Sequence, residues 1–177
     1  MSHLFSGANA FNSDISNWDT ANCLDMNSMF DDAKLFNQDL SNWETAEVTI
    51  LYGTFRGASD FNGDISKWQT SAVETMQATF QSASEFNINI SSWDVSRVTS
   101  LRYTFASAVA FNQDISKWNT AKVENSFGSA TTKFKPRRSV AVARCVVLFS
   151  LSLSSCQARE KNRTPRRHRH SAVTFVP

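Results

Sequence analysis

Hydrophobic and polar positions follow one pattern that returns every 25 residues between Met1 and about residue 125. The eight letters FNSDISNW begin at Phe11, and close copies of them begin at Phe36, Phe61, Phe86 and Phe111. A fixed period of this size is typical of chains that stack one copy on the next, because a single copy cannot bury its own apolar face. The sequence therefore predicts a stack of about five coils over residues 1–125.

The repeated aromatic letters predict the core of this stack. Each of them recurs in register, so each can pack against its own counterpart in the copy above and the copy below. The predicted core consists of Phe11, Trp18, Phe36, Trp43, Phe61, Trp68, Phe86, Trp93, Phe111 and Trp118.

The spacing between these aromatic residues predicts two elements per copy. Val73, Met76, Phe80 and Ala83 fall at i, i+3, i+7 and i+10, which indicates a short helix. The segment from Ile15 to Thr20 is β-branched and aromatic, which favours a short strand with residues 17 and 19 pointing outward. Parallel strands joined by helices form an α/β solenoid, so we expect a stack of about five 25-residue strand-plus-helix coils with a parallel sheet.

Two polar rows accompany the aromatic residues. The Asn12 row is expected to turn the chain and to satisfy backbone groups at the corner. The Asp14 row brings like charges close together, so each carboxylate must be solvated, bonded to a backbone N–H group, or bridged by a cation. An Asx-turn from Asp14 to the N–H of Ser16 is the simpler reading. A row of calcium ions would have too few oxygen ligands per copy, and no metal site is predicted.

Charge divides the chain near residue 125. Residues 1–125 carry seven Lys or Arg against fifteen Asp or Glu, a net of −8, whereas the remainder carries eleven against one, a net of +10. We expect residues 126–177 to hold a degenerate last repeat and a poorly ordered basic tail. The run RTPRRHRH, from Arg163 to His170, could bind nucleic acid or an anionic membrane. Such runs are usually only solvated, so polyanion binding is kept as the alternative function.

The cysteines and the termini give no further site. Cys23 takes a slot that holds Val in the later copies, and three scattered cysteines support neither a disulfide framework nor a zinc site. No secretory signal opens the chain. The apolar run from Ser139 to Cys156 is shorter than a spanning helix and contains Arg144, so no membrane span is predicted.

The repeat as a whole resembles that of a known family. The pattern M-x-x-x-F-x-x-A-x-x-F-N-x-D-I-S-x-W, continuing to a Val as in Met76 to Val98, is similar to the repeats of BspA-type leucine-rich-repeat surface proteins. The resemblance implies a leucine-rich-repeat-related stack in an extracellular or cell-surface protein used for adhesion or protein binding. It supplies no catalytic residues. Because Met1 aligns with Met26 in the middle of a repeat, we expect a fragment of a longer array.

The outward residues at 17 and 19 of each copy form the candidate partner-binding face. They vary between copies while their neighbours do not, which a recognition surface requires, although any solvated face would also vary freely. The face consists of Asn17, Asp19, Asn42, Glu44, Lys67, Gln69, Ser92, Asp94, Lys117 and Asn119.

Other functional classes fit the sequence less well. An enzyme is not expected, because His3 is the only histidine in residues 1–125 and the Ser and Asp rows have no base beside them. An ice-binding or mineral-binding surface would need a flat array of two columns, and Val95 interrupts the single column of Thr20, Thr45, Thr70 and Thr120. We therefore predict a non-catalytic repeat scaffold without a cofactor, which binds a protein or a cell-surface ligand.

Overall fold

The computed structural model describes residues 1–124, in which five copies of the repeat stack in register. The copies are residues 1–25, 26–50, 51–75, 76–100 and 101–124. A position within a copy is counted from its first residue, so position 5 is Phe5 and its counterparts. The expected last repeat and basic tail, and the apolar run after residue 138, lie outside the described residues.

Neither of the two predicted elements is present. Residues 1–124 contain no helix, and their only β-type pairing is isolated parallel bridges at position 25. These bridges link Asp25 to Ile50, Ile50 to Thr75, and Thr75 to Ser100. The backbone instead follows the same series of turns in each copy. The prediction of an α/β solenoid with a helix per copy and a parallel sheet is therefore wrong.

The helix is prevented by residues with a left-handed backbone at positions 3 and 7 of every copy. Right-handed helix requires negative φ throughout, and positive φ costs an L-residue roughly 1–2 kcal/mol. Ala78 and Ser82, with φ of 58° and 61°, interrupt the segment in which a helix was expected. The residues with positive φ are His3, Gly7, Ser28, Asp32, Gly53, Gly57, Ala78, Ser82, Tyr103 and Ser107.

Backbone hydrogen bonds in this segment run alternately between copies and within a copy. Three N–H groups of copy 3 donate to carbonyls of copy 4 at 2.8 to 2.9 Å: Gly53 to Gln77, Phe55 to Thr79 and Gly57 to Gln81. The intervening N–H groups donate back by three residues, as from Arg56 to Gly53 at 3.0 Å and from Ala58 to Phe55 at 3.2 Å. The N–H groups of this segment thus find acceptors without helix or sheet.

The segment from Ile15 to Thr20 forms a turn and not the expected strand. The N–H of Trp18 donates to the carbonyl of Ile15 at 3.1 Å, and the same bond recurs in each later copy. Ile15 and Thr20 are buried, whereas Asn17 and Asp19 are exposed. The outward direction of positions 17 and 19 therefore comes from this tight turn.

The core consists of stacked aromatic columns. Within each copy the two Phe rings lie 3.9 to 4.1 Å apart between centroids. Between copies, rings at position 5 are separated by 5.4 to 5.7 Å and rings at position 11 by 5.7 to 6.1 Å. The indole N–H groups of Trp43, Trp68, Trp93 and Trp118 donate to the position-15 carbonyl of the preceding copy at 3.0 to 3.2 Å.

Eight of the ten predicted core residues are buried, and the two exceptions lie in copy 1. Phe11 is half-buried and Trp18 is 38% exposed, whereas the later Trp residues are 3 to 4% exposed. Copy 1 has no described copy in front of it, so one side of these two rings is uncovered. Cys23 is 7% exposed and packs in the core, as its Val-like slot predicts.

The Asn row at position 12 links the copies along one corner. The Oδ1 atoms of Asn12, Asn37, Asn62 and Asn87 each accept the N–H of the Asn in the next copy at 2.8 to 2.9 Å. The expectation that this row satisfies backbone groups is confirmed, although the bonds run to the next copy. Thr20, Thr45 and Thr70 are only 2 to 3% exposed, so the Thr column cannot serve as an ice-binding surface.

The left-handed positions predict a stabilising substitution. Ser82 has a φ of 61° and an exposed side chain, so Ser82→Gly should relieve backbone strain at little cost in contacts. We expect the free energy of unfolding to rise by about 0.5–1 kcal/mol, after the greater entropy of Gly in the unfolded chain is counted. Urea denaturation measures the change. The control, Ser71→Gly, lies at an exposed position without positive φ and should destabilise slightly; the opposite order would contradict the backbone assignment.

Candidate functional site

The candidate partner-binding face forms an exposed row along the stack, which we call the strip. All ten of its residues are exposed, two from each copy. The tight turn at position 15 places position 17 at its outer side, and the buried residue at position 20 turns position 19 outward. The strip is thus a regular feature of the fold, and whether it binds a partner stays a prediction.

Four strip side chains form hydrogen bonds with the backbone. Asp19 accepts the N–H of Ala21 at 3.1 Å, and Asp94 accepts the N–H of Ser96 at 2.9 Å. Asn119 does the same for Ala121 at 3.2 Å, and the hydroxyl of Ser92 donates to the carbonyl of Ser66 at 3.2 Å. These four residues therefore have a structural role that accounts for part of their sequence.

The remaining six strip side chains make no hydrogen bond or ion pair within residues 1–124. They are Asn17, Asn42, Glu44, Lys67, Gln69 and Lys117. Their polar ends face solvent, so they can change without loss of a hydrogen bond or an ion pair in the stack. If the strip recognises a partner, these six side chains are the ones available to do so.

The Asp row at position 14 forms Asx-turns, which confirms the simpler of the two readings. Oδ1 of Asp14, Asp39, Asp64 and Asp114 accepts the N–H two residues later at 2.8 to 2.9 Å. Copy 4 keeps the bond with a neutral side chain, since Asn89 accepts the N–H of Ser91 at 3.1 Å. The turn requires an oxygen acceptor at this position and does not require a charge.

These hydrogen bonds favour the ionised carboxylate. The N–H of Ser16 lowers the pKa of Asp14, and the N–H of Ser66, with a smaller contribution from Lys67, lowers the pKa of Asp64. The side chain and the N–H of Ser96 lower the pKa of Asp94 on the strip. Residues 1–124 contain no group of three or more His, Cys, Asp or Glu side chains that could hold a metal ion.

A second variable row on the next segment of each copy was missed by the sequence reasoning. Position 22 is exposed in four copies, as Asn22, Glu47, Arg97 and Lys122. Arg97 forms an exposed ion pair of 3.2 Å with Glu74 of the copy before, a contact worth at most about 1 kcal/mol. The signal was available, because this row varies beside the nearly constant apolar row at position 23.

One ion pair breaks the regularity of the repeat. Arg56 of copy 3 binds Asp31 of copy 2 through two nitrogen atoms, and Asp31 is largely buried. Beside it, Gly57 at position 7 of copy 3 has a φ of 69° and lies against the side chain of Asp32 at position 7 of copy 2, so a larger residue there would have to displace the Asp32 carboxylate. Among the described copies, this buried ion pair occurs only between copies 2 and 3.

The structure and its exposed strip define a stacked-repeat protein. Two overlapping stretches, residues 1–82 and 51–140, match the family described as "Mycoplasma protein of unknown function, DUF285". The chain belongs to this repeat family. No curated protein and no solved structure matches the chain.

A membrane crossing finds no support in the described copies. Among residues 1–124 there is no helix with the length and hydropathy that a span requires. The apolar run from Ser139 to Cys156 lies beyond these residues.

The Asx-turns predict loss of stability in acid. The pKa values of Asp14 and Asp64 are lowered on folding. Their contribution to stability is therefore present above the unfolded pKa of about 3.9, and it is lost as the pH falls from there through the lower folded pKa. We expect the free energy of unfolding to decrease below about pH 5. In the double variant Asp14→Asn, Asp64→Asn the free energy of unfolding should decrease less steeply as the pH falls. Thermal unfolding measured across pH checks this. Equal slopes for both proteins would contradict this role of the two carboxylates.

Proposed function

We propose that this chain is a non-catalytic repeat scaffold that binds a protein or cell-surface partner through the strip. The proposal rests on a difference in sequence variation between the packed positions and the exposed strip positions. The aromatic and Asn positions that pack between copies, 5, 11, 12 and 18, keep their residues, whereas the strip positions beside them are all exposed and hold several residue types among the five copies. A fixed frame with variable outward residues is suited to recognition.

The charges of the strip indicate the chemistry of the partner. Asp19 and Glu44 make the first two copies acidic, Lys67 makes copy 3 basic, and Asp94 and Lys117 follow with alternate signs. A partner that lies along the stack would need charges of opposite sign in the same order. Complementary charges of this kind favour the correct partner and its register more than they raise affinity.

The repeat sequence supports a finer assignment. The similarity of Met76 to Val98 to BspA-type surface repeats is the basis for proposing a role in adhesion at a cell surface. The absence of catalysis is part of the same proposal, because the Ser and Asp rows are used in Asx-turns along the described copies. No cofactor is invoked.

Polyanion binding is the second candidate. It is supported by one observation, the net charge of +10 in residues 126–177. Binding of this type depends strongly on salt, because neutralised phosphates release counterions. That dependence separates it from recognition at the strip.

The proposal can be tested with a library of random peptides selected on the full-length chain. Lys67→Glu reverses a charge on the strip, and the strongest binders should lose at least about tenfold in affinity. The matched control is Lys34→Glu, the same change at an exposed lysine outside the strip. Affinity is read by titration with each purified peptide.

Three results are distinguishable. Loss of binding on Lys67→Glu with retention on Lys34→Glu supports recognition at the strip. Equal affinity for both variants that does not depend on salt would contradict it. Binding that survives both substitutions and disappears at high salt would favour the basic tail instead.

A further inference from the structure

The columns that hold the stack together do not distinguish one copy from another. Positions 5, 11, 12 and 18 hold Phe, Phe, Asn and Trp in all five copies. Copy 4 would therefore present the same aromatic rings and the same Asn to copy 2 as copy 3 does. Nothing in these columns prevents copy 4 from stacking on copy 2 out of order, so a position that varies must select the correct neighbour.

Position 6 varies and forms a contact between copies. Along the chain it holds Ser6, Asp31, Arg56, Gln81 and Ala106. Asp31 is 6% exposed, and no other charged residue among residues 1–124 is buried. Arg56 reaches it from the next copy, with Nε donating to Oδ1 at 2.8 Å and a second nitrogen donating to Oδ2. The buried carboxylate of copy 2 is thus neutralised by copy 3.

A wrong neighbour would leave Asp31 without this partner. Loss of one member of a buried ion pair is strongly destabilising, because the other charge stays buried and uncompensated. Copy 4 would place Gln81 beside Asp31 and copy 5 would place Ala106 there, and neither side chain carries a charge. The side chain of Arg56 is 39% exposed, so it could turn to solvent beside another copy. The selection therefore runs from Asp31 to the copy that follows it.

A second contact at the same interface also favours copy 3. Gly63, at position 13, is buried and lies so close to the backbone carbonyl of Gln38 in copy 2 that a Cβ atom has no room there. Copies 4 and 5 hold Ile88 and Gln113 at this position. Either side chain would have to move the two backbones apart. Copy 2 therefore matches copy 3 at two separate positions.

We propose that Asp31 and Arg56 form a register lock, a contact that is complete only when copy 3 stacks on copy 2. The buried carboxylate accepts copy 3 as its neighbour and rejects copies 4 and 5, and so keeps nearly identical copies from stacking out of order as the chain folds. Single buried polar groups fix the register of coiled coils in a similar way. The lock involves no strip residue and does not depend on the proposed function.

The test uses four full-length chains that differ in the order of copies 3 and 4 and in the position of one arginine. Two chains keep the natural order, and two exchange residues 51–75 with residues 76–100. In each order one chain has its native residues, and the other carries Arg56→Gln with Gln81→Arg, which moves the arginine to copy 4. All four have the same composition and net charge. Urea denaturation gives the ratio of folded to unfolded molecules for each.

The effect of moving the arginine should change sign with the order of the copies. In the natural order it removes the partner of Asp31, and we expect the folded-to-unfolded ratio to fall at least about tenfold. In the exchanged order copy 4 follows copy 2, so the same two substitutions restore the pair and the ratio should rise by a similar factor. Gly63 is displaced in both exchanged chains, so its effect cancels within that order. A role of Arg56 inside copy 3 alone would give a loss in both orders.

The matched control moves an arginine that does not meet Asp31. Gln77→Arg with Arg102→Gln, at position 2 of copies 4 and 5, should change the ratio in the same direction in both orders. The proposal is overturned if moving the arginine of position 6 leaves the ratio unchanged in the natural order or does not raise it in the exchanged order. Failure of both exchanged chains to fold would also overturn it, because the order would then depend on contacts other than this pair.

Discussion

Each copy of this protein depends on its neighbours for the hydrogen bonds that a helix or a strand would otherwise provide. Alternate N–H groups in the first eight residues point to the next copy, as Phe55 does to the carbonyl of Thr79 at 2.9 Å. The remaining N–H groups close three-residue turns. Because buried backbone groups must be paired, a copy without a neighbour would leave a row of them unsatisfied. Stacking is therefore a condition for the local conformation.

This dependence explains why the copies resemble one another so closely. A ring at position 5 contacts the same ring in the next copy, an Asn at position 12 bonds the next Asn, and an indole bonds the preceding copy. A change at one of these positions affects two interfaces. A change at the six strip positions whose side chains make no hydrogen bond affects neither interface, so most variation lies on the outside; the ion pair of Arg56 and Asp31 is a local exception. The proposed recognition surface follows from the same constraint.

The repeat period, most of the buried residues and the outward positions could be predicted from the sequence. The secondary structure could not. Val73, Met76, Phe80 and Ala83 are all buried, as the helical spacing required, yet they lie on a chain of turns. The conformation depends on left-handed residues such as Ala78 and Ser82, and these types carry no signal for positive φ. Gly7, Gly53 and Gly57 favour positive φ, and His3 and Asp32 tolerate it better than most residues, but copies 4 and 5 hold no residue of these types at positions 3 and 7.

The most direct test of this account is an NMR measurement of scalar couplings across hydrogen bonds in the isotope-labelled chain. Such a coupling identifies the carbonyl that accepts a given N–H. The structure predicts that the N–H of Phe55 couples to the carbonyl of Thr79 in the next copy. A coupling from Phe55 to the carbonyl of Leu51, four residues earlier, would indicate a helix in each copy and would contradict the account.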